Sequence, residues 1–226
     1  MVPLEKLEIE FELQTACGLE FFLYHAAIMK SNECHGKEEK MNLFLLNASP
    51  KNYGATQRIV DLIADEAAGH YEVEVTKCCL GDVDISYCKG CKTCYSSGIC
   101  NIEDDMNRVI SMMKKADAFV IVAPSYWGDI PGSFKAFIDR CTSHSISKSL
   151  SGNKTCLAIA LREGQRTFEC EHIIECISHW CGHMEIEVSG SAFYCGISNK
   201  EDLEKYVDDI KCYAKEWLDK INATKK

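Results

Sequence analysis

Cysteines fill four of the thirteen positions from residue 88 to residue 100, in the spacing Cys88-x2-Cys91-x2-Cys94-x5-Cys100. Short C-x2-C steps let successive thiolates turn toward one centre, and iron–sulfur cubes are commonly held by four such ligands, several of them from one tight loop. Gly90 and Gly98 supply the backbone freedom that such a wrap demands. The run departs from the ferredoxin pattern in its last step: five residues precede the fourth cysteine, where ferredoxins have three, and Asn101 follows in place of proline. Four-thiolate zinc sites usually join two separate C-x2-C knuckles, so three cysteines at successive three-residue steps fit a cube better.

The rest of the composition narrows the chemistry. A net charge of -9 excludes a phosphate-tracking nucleic-acid binder, which needs a basic face. No stretch approaches the roughly 20 apolar residues of a membrane helix, and the opening MVPLEKLEIEFEL carries acid where a signal peptide is basic. A cytoplasmic protein is therefore expected. Its 15 cysteines are an odd number, which rules out complete disulfide pairing, so thiols or metal ligands are expected. Outside the run the plain reading is preferred: Cys141 and Cys156 as small buried hydrophobes, Cys78 and Cys79 as unreactive, and His179, Cys181 and His183 as ordinary structure. Asp139 and Arg140 are read as anchors of a helix, and neither a Ser/His/Asp triad nor a working carboxylate pair can be argued.

The elements that must position these groups alternate. Apolar runs predict strands at 42–47, 118–124 and 156–161, β-type alternation predicts one at 71–77, and a last one is placed between Met184 and Phe193. Helical spacing predicts helices at 54–68, 104–115, 132–140 and 168–181, and a closing one from Lys200 to about Ile221. Such alternation implies an α/β fold: a doubly wound, five-stranded parallel sheet covered by helices on both faces, with the cysteine loop after strand two. Residues 1–40 break the rhythm and are read as an appendage, either an oligomer contact or a stretch ahead of a natural start at Met41; residues 41–226 form the domain.

Two loops stand out. NASPKNYGAT, residues 47–56, opens into a helix, where free backbone N–H groups and the helix dipole suit a phosphate. Ser49 and Thr56 add hydroxyls, Lys51 adds charge, and Gly54 permits close approach. The pattern is neither a P-loop nor a dinucleotide loop, and a merely capped helix explains it equally well. APSYWGDIPG, residues 123–132, presents Tyr126 and Trp127 beside Gly128. In a flavodoxin-like strand order of 2-1-3-4-5 both loops meet at the topological switch point, and a phosphate seat beside an aromatic loop is what flavin mononucleotide (FMN) needs.

SPKNYGAT, the C-x2-C-x2-C segment leading into IEDDM, ADAFVIVAPSYWGDIPGSFKAFIDR and the REGQRT turn together resemble the NAD(P)H-dependent FMN reductase group of flavodoxin-like proteins, in particular its iron–sulfur flavoprotein branch. The similarity spans residues 41 to about 195. It implies phosphate contacts from Ser49, Lys51, Gly54, Ala55 and Thr56, where Ala55 replaces the asparagine usual in relatives and leaves only its backbone N–H. It implies ring and ribityl contacts from Pro124, Ser125, Tyr126, Trp127 and Gly128, joined by Glu163, Gly164 and Gln165. It also implies a 4Fe-4S cluster on Cys88, Cys91, Cys94 and Cys100.

The function expected from the resemblance is electron transfer from ferredoxin or NAD(P)H to a small acceptor such as a quinone, oxygen or peroxide, in a homodimer or homotetramer. A cluster-free NAD(P)H-dependent FMN or quinone reductase is the alternative, and a non-enzymatic electron carrier is a third reading.

Overall fold

A computed structural model describes residues 40–224. The expectations for residues 1–39, the appendage among them, lie outside the described residues. The chain runs through β1 (Met41–Asn47), α1 (Ala55–His70), β2 (Val73–Cys79), a short α2 (Thr93–Ser97) and α3 (Met106–Lys115). It continues through β3 (Ala118–Pro124), α4 (Gly132–Arg140), α5 (Thr142–Ile146), β4 (Thr155–Leu161), α6 (Thr167–His183), β5 (Glu187–Tyr194) and α7 (Val207–Ala223). All five strands are parallel, in the order β2-β1-β3-β4-β5, as the doubly wound reading expects.

Alternation along the strands decides which layer each residue joins. In β3, Phe119, Ile121 and Ala123 face α3, α4 and α6, while Ala118, Val120 and Val122 face α1 and α7. β1 divides likewise, with Phe44 and Leu46 on the first side and Leu43 and Leu45 on the second. Every one of these residues is buried, so the central strands read as unbroken apolar runs. Cys141 and Cys156 are buried in the first layer, as expected of small hydrophobes.

Several boundaries differ from the sequence expectation. β2 starts two residues late because Tyr71, taken as strand, ends α1; its ring packs beside the second layer and its hydroxyl donates to Asp219 at 2.7 Å. The expected closing helix splits into a tight turn, Glu201–Tyr206, and α7. There Leu203 is fully buried, and the Asp202 carboxylate accepts from Ser198 N at 2.8 Å and Asn199 N at 3.2 Å. The short helix α5 has too few residues to show a period and was not expected.

Phe119 is fully buried on the central strand, edge-on to Phe44 with centroids 6.1 Å apart. Phe119→Ala should lower stability by about 3–5 kcal/mol, read as a lower urea midpoint at unchanged slope.

Candidate functional site

The first loop is shaped from beneath. Asn47 ends β1 fully buried; its amide donates to Lys51 O at 3.0 Å and Gln57 Oε1 at 2.9 Å, and its Oδ1 accepts from Ser49 N at 2.9 Å. Ser49 Oγ in turn accepts from Lys51 N at 3.1 Å. Gly54 then turns the chain at φ 96, and α1 begins without a side-chain cap. The first N–H groups of that helix are thus left to a ligand or to solvent, at the positive end of its dipole. Gly81, just beyond β2, lies so close under the loop that a Cβ there would meet Pro50 O at 2.4 Å. Asn52 Nδ2 also donates to Asp82 Oδ1 at 2.6 Å.

The second loop leaves β3 at Pro124. Ser125 N donates to Leu161 O at 2.7 Å and its hydroxyl to Glu169 Oε2 at 3.0 Å, while Arg162 holds Glu169 at 2.7 Å. Tyr126 and Asp129 exchange backbone hydrogen bonds across a two-residue turn whose central residues, Trp127 and Gly128, have φ 55 and 78. That is the I′ turn pattern, which glycine takes readily and tryptophan does not. The Trp127 side chain stands fully exposed.

Both loops open onto one cleft of about 620 Å³, within the usual range for small-molecule sites. Ser49, Lys51, Gly54, Ala55 and Thr56 line one part of it, and Pro124, Ser125, Tyr126, Trp127 and Glu163 another. Gly128, Gly164 and Gln165 stand behind this lining: Gly128 faces Glu169, Gly164 lies against the Arg162 guanidinium, and Gln165 packs on Gly196. Sequence reasoning missed Tyr53, Arg162 and the segment Ser198–Glu201, which also line the cleft. Topology held the signal for that segment, because the loop after β5 emerges at the same carboxyl edge as the other two.

The cysteine loop carries the short helix α2 over Thr93–Ser97 and is otherwise irregular. Gly90, Lys92 and Gly98 all lie in the left-handed region, at φ 64, 60 and 68, so the chain reverses once within each C-x2-C step and again before Cys100. Cys88 and Cys91 are exposed and Cys94 and Cys100 half-buried. Desolvation raises the Cys94 thiol, and the neighbouring Cys100, Cys88 and Cys91 sulfurs add to that, so the four side chains share one electrostatic neighbourhood. Gly90 N donates to Cys88 Sγ at 3.4 Å, the kind of contact a ligating sulfur receives. Four thiols that are exposed or half-buried on a turning loop, one of them receiving a backbone hydrogen bond, fit an iron–sulfur cluster. By contrast, burial pushes the Cys78 thiol up to about 11, in line with its reading as unreactive.

Residues 41–181 match the NADPH-dependent FMN reductase family. The chain belongs to that family. It is 29% identical over 154 residues to an iron-sulfur flavoprotein of Clostridioides difficile (strain 630), covering 65% of this chain and 68% of that one. It is 40% identical over 102 residues to an iron-sulfur flavoprotein of Archaeoglobus fulgidus, covering 44% of this chain and 48% of that one, so the match spans about half of that relative. Among solved structures, an FMN-dependent NADH-azoreductase from Bacillus anthracis in complex with FMN shares the fold at a TM-score of 0.58 and 14% identity, covering 78% of this chain and 99% of that one. Within the family the similarity falls to the iron–sulfur flavoprotein branch, and the chain is an FMN-dependent redox flavoprotein.

Within this FMN reductase family member, Arg140 has a different task from the one read in the sequence. It does not merely anchor α4; it clamps both flanks of the cysteine loop. Its guanidinium donates to Ser86 O at 3.0 Å before the loop, and after it to Ile102 O at 3.2 Å and to both carboxylate oxygens of Asp104 at 2.5 and 3.1 Å. Asp104 also accepts from Ser86 N and Met106 N, each at 3.0 Å. Burial by itself would raise the Asp104 carboxyl, but these hydrogen bonds and the Arg140 charge outweigh it and hold the group below the usual carboxylate range. Asp139, beside it in sequence, pairs with Lys135 on the helix surface.

Arg140→Ala leaves Asp104 buried and unpaired and should cost about 3–5 kcal/mol in urea denaturation. A carboxyl with a depressed folded pKa stabilises above its unfolded value, near 3.9, and that contribution is lost as pH falls through the folded one. The stability gap between wild type and Asp104→Asn should therefore hold at neutral pH and close as pH drops below about 4.

Proposed function

We propose that this chain transfers electrons between a protein or nicotinamide donor and a small acceptor, using FMN in the cleft and a 4Fe-4S cluster on Cys88, Cys91, Cys94 and Cys100. The observation that carries the proposal is the meeting, in one cleft, of an uncapped helix N-terminus and an exposed aromatic turn held in a strained conformation. Bound there, FMN supplies one- and two-electron chemistry, and the cluster supplies one-electron steps. In this reading Lys51, the Ser49 and Thr56 hydroxyls and the backbone N–H groups of Gly54, Ala55 and Thr56 receive the phosphate. Pro124, Ser125, Tyr126, Trp127 and Gly128 border the ring and ribityl chain, with Glu163, Gly164 and Gln165 completing the far side. Glu169 and Arg162 act at one remove by fixing Ser125.

The donor is ferredoxin or NAD(P)H and the acceptor a quinone, oxygen or peroxide; the NADPH dependence in the family's description supports a nicotinamide donor, and the other classes rest on the resemblance to iron–sulfur flavoproteins. A homodimer or homotetramer forms part of the same reading. Tyr87, Tyr95 and Ile99 support it, since all three are large apolar side chains exposed in or beside the cysteine loop.

Protein purified without air should show flavin absorption together with iron and acid-labile sulfide at about four each per chain. Flavin without iron would leave the cluster-free reductase as the correct reading, and failure to take up excess FMN would overturn the proposal altogether. Cys94→Ser should remove the iron and spare the flavin; loss of both would mean that the loop is needed for folding. Trp127→Gly should relieve a left-handed tryptophan and raise stability by about 1 kcal/mol, while weakening FMN binding several-fold in a fluorescence titration.

A further inference from the structure

A second group of metal-ligating side chains lies outside both the cleft lining and the cysteine loop. Asp129 closes the Tyr126–Asp129 turn, and His172 and Cys176 stand one helical turn apart on α6. One ligand atom from each lies within 4.8 Å of the other two. We propose that Asp129, His172 and Cys176 form a binding site for a zinc-class divalent transition-metal ion, clipping the aromatic turn to α6.

The spacing carries the proposal. A tetrahedral ion with bonds of about 2.0–2.1 Å to nitrogen and oxygen and about 2.3 Å to sulfur holds its N and O ligands about 3.4 Å apart, and its S and N ligands about 3.6 Å apart. Here His172 Nε2 is 3.5 Å from Asp129 Oδ1, and 3.7 Å from Cys176 Sγ. Two of the three edges of such a tetrahedron are therefore already near their required lengths, and the third, from Asp129 to Cys176, lies within 4.8 Å. An i, i+4 pair on a helix reproduces this spacing rigidly, and the third ligand comes from a tight turn that is itself hydrogen-bonded across its ends.

Chemistry selects the ion class. Imidazole and thiolate favour zinc, cobalt or copper over magnesium and calcium, which prefer all-oxygen sites. Three protein ligands leave a fourth position for water. His172 and Asp129 are exposed and Cys176 half-buried, so the ion has an open path. Binding requires Cys176 to release its proton to solvent. Burial, then the Asp129 and Glu175 charges, raise that thiol, and the same negative field attracts a cation. Lys135, the nearby positive charge, is engaged by Asp139.

The neighbouring His179 and His183, whose Nε2 atoms are 3.2 Å apart, offer two ligands and serve as the internal control. Cys181, grouped with them in the sequence, is fully buried in the core instead.

The test uses holoprotein prepared without air, stripped of loose ions by chelator and titrated with zinc against a chromogenic zinc indicator. One tightly held zinc per chain is expected, and its loss in both His172→Ala and Cys176→Ser, with flavin and iron contents unchanged and with zinc retained in His179→Ala. Cobalt in place of zinc should give tetrahedral d–d absorption whose thiolate charge-transfer component disappears in Cys176→Ser. Zinc uptake unaltered in the two variants, uptake lost only in His179→Ala, or none in the wild type would each overturn the proposal. Because flavin and iron are measured on the same samples, failure here is distinguishable from failure of the flavin and cluster assignment.

Discussion

A buried guanidinium holds the cysteine loop in place. The thirteen residues from Cys88 to Cys100 include no buried side chain, so the loop buries too little apolar surface to pack itself down. Something must fix its ends. Closing the chain between Ser86 and Asp104 costs on the order of 2–3 kcal/mol in entropy, and more is needed to fix its orientation. Arg140 meets this cost from a rigid helix, contacting Ser86 on one side and Ile102 and Asp104 on the other. A buried ion pair is weak evidence for stability as such, since desolvating both charges consumes most of the attraction. Its value here is geometric: two carbonyls and a carboxylate must all be satisfied together, and one arrangement of the loop ends does so.

The same logic of rigid support and free tips governs the cleft. The parallel ladder sets Asn47 opposite both Cys79 and Val122, so the loops after β1, β2 and β3 leave the sheet at nearly one level. Asn47 then spends its whole amide on the first loop, and Glu169 holds the second through Ser125. What these supports leave unsatisfied lies at the tips: the first N–H groups of α1 and the left-handed Trp127. Strain of this kind persists only where the surroundings over-determine it, and the backbone exchange between Tyr126 and Asp129 provides that constraint.

How much of this the sequence revealed depends on whether the signal was local. β3 and α4 match expectation to the residue, because an unbroken apolar run ends at Pro124 and a helical spacing opens at Gly132. The parallel, doubly wound sheet followed from the alternation of elements, its strand order is the flavodoxin-like one, and the two loops could be singled out by residue type. Tyr71 misled the reading of β2, since an alternating pattern cannot distinguish a strand residue from one that caps a helix and packs on its neighbour. The Ser198–Glu201 lining and the Arg140 clamp depend on partners 36 to 54 residues away in the case of Arg140, and on the closing of the sheet in the other. No window along the chain contains either.

The abundance of sulfur that marks this sequence has two separate physical origins. Cys78, Cys141 and Cys156 sit in the core, where thiols serve as small polarizable hydrophobes; burial drives Cys78 and Cys141 away from ionisation, Cys141 up to about 12, and the Cys181 thiol followed by burial does the same to Cys156. A thiol enclosed in the core is reached neither by a substrate nor by an ion. In the cysteine loop Cys91 is exposed and hydrogen bonds from Thr93 pull its thiol below the ordinary value, whereas desolvation still raises Cys94. Burial thus divides one residue type between core packing and solvent-facing loop positions, and hydrogen bonding adjusts a thiol that stays accessible.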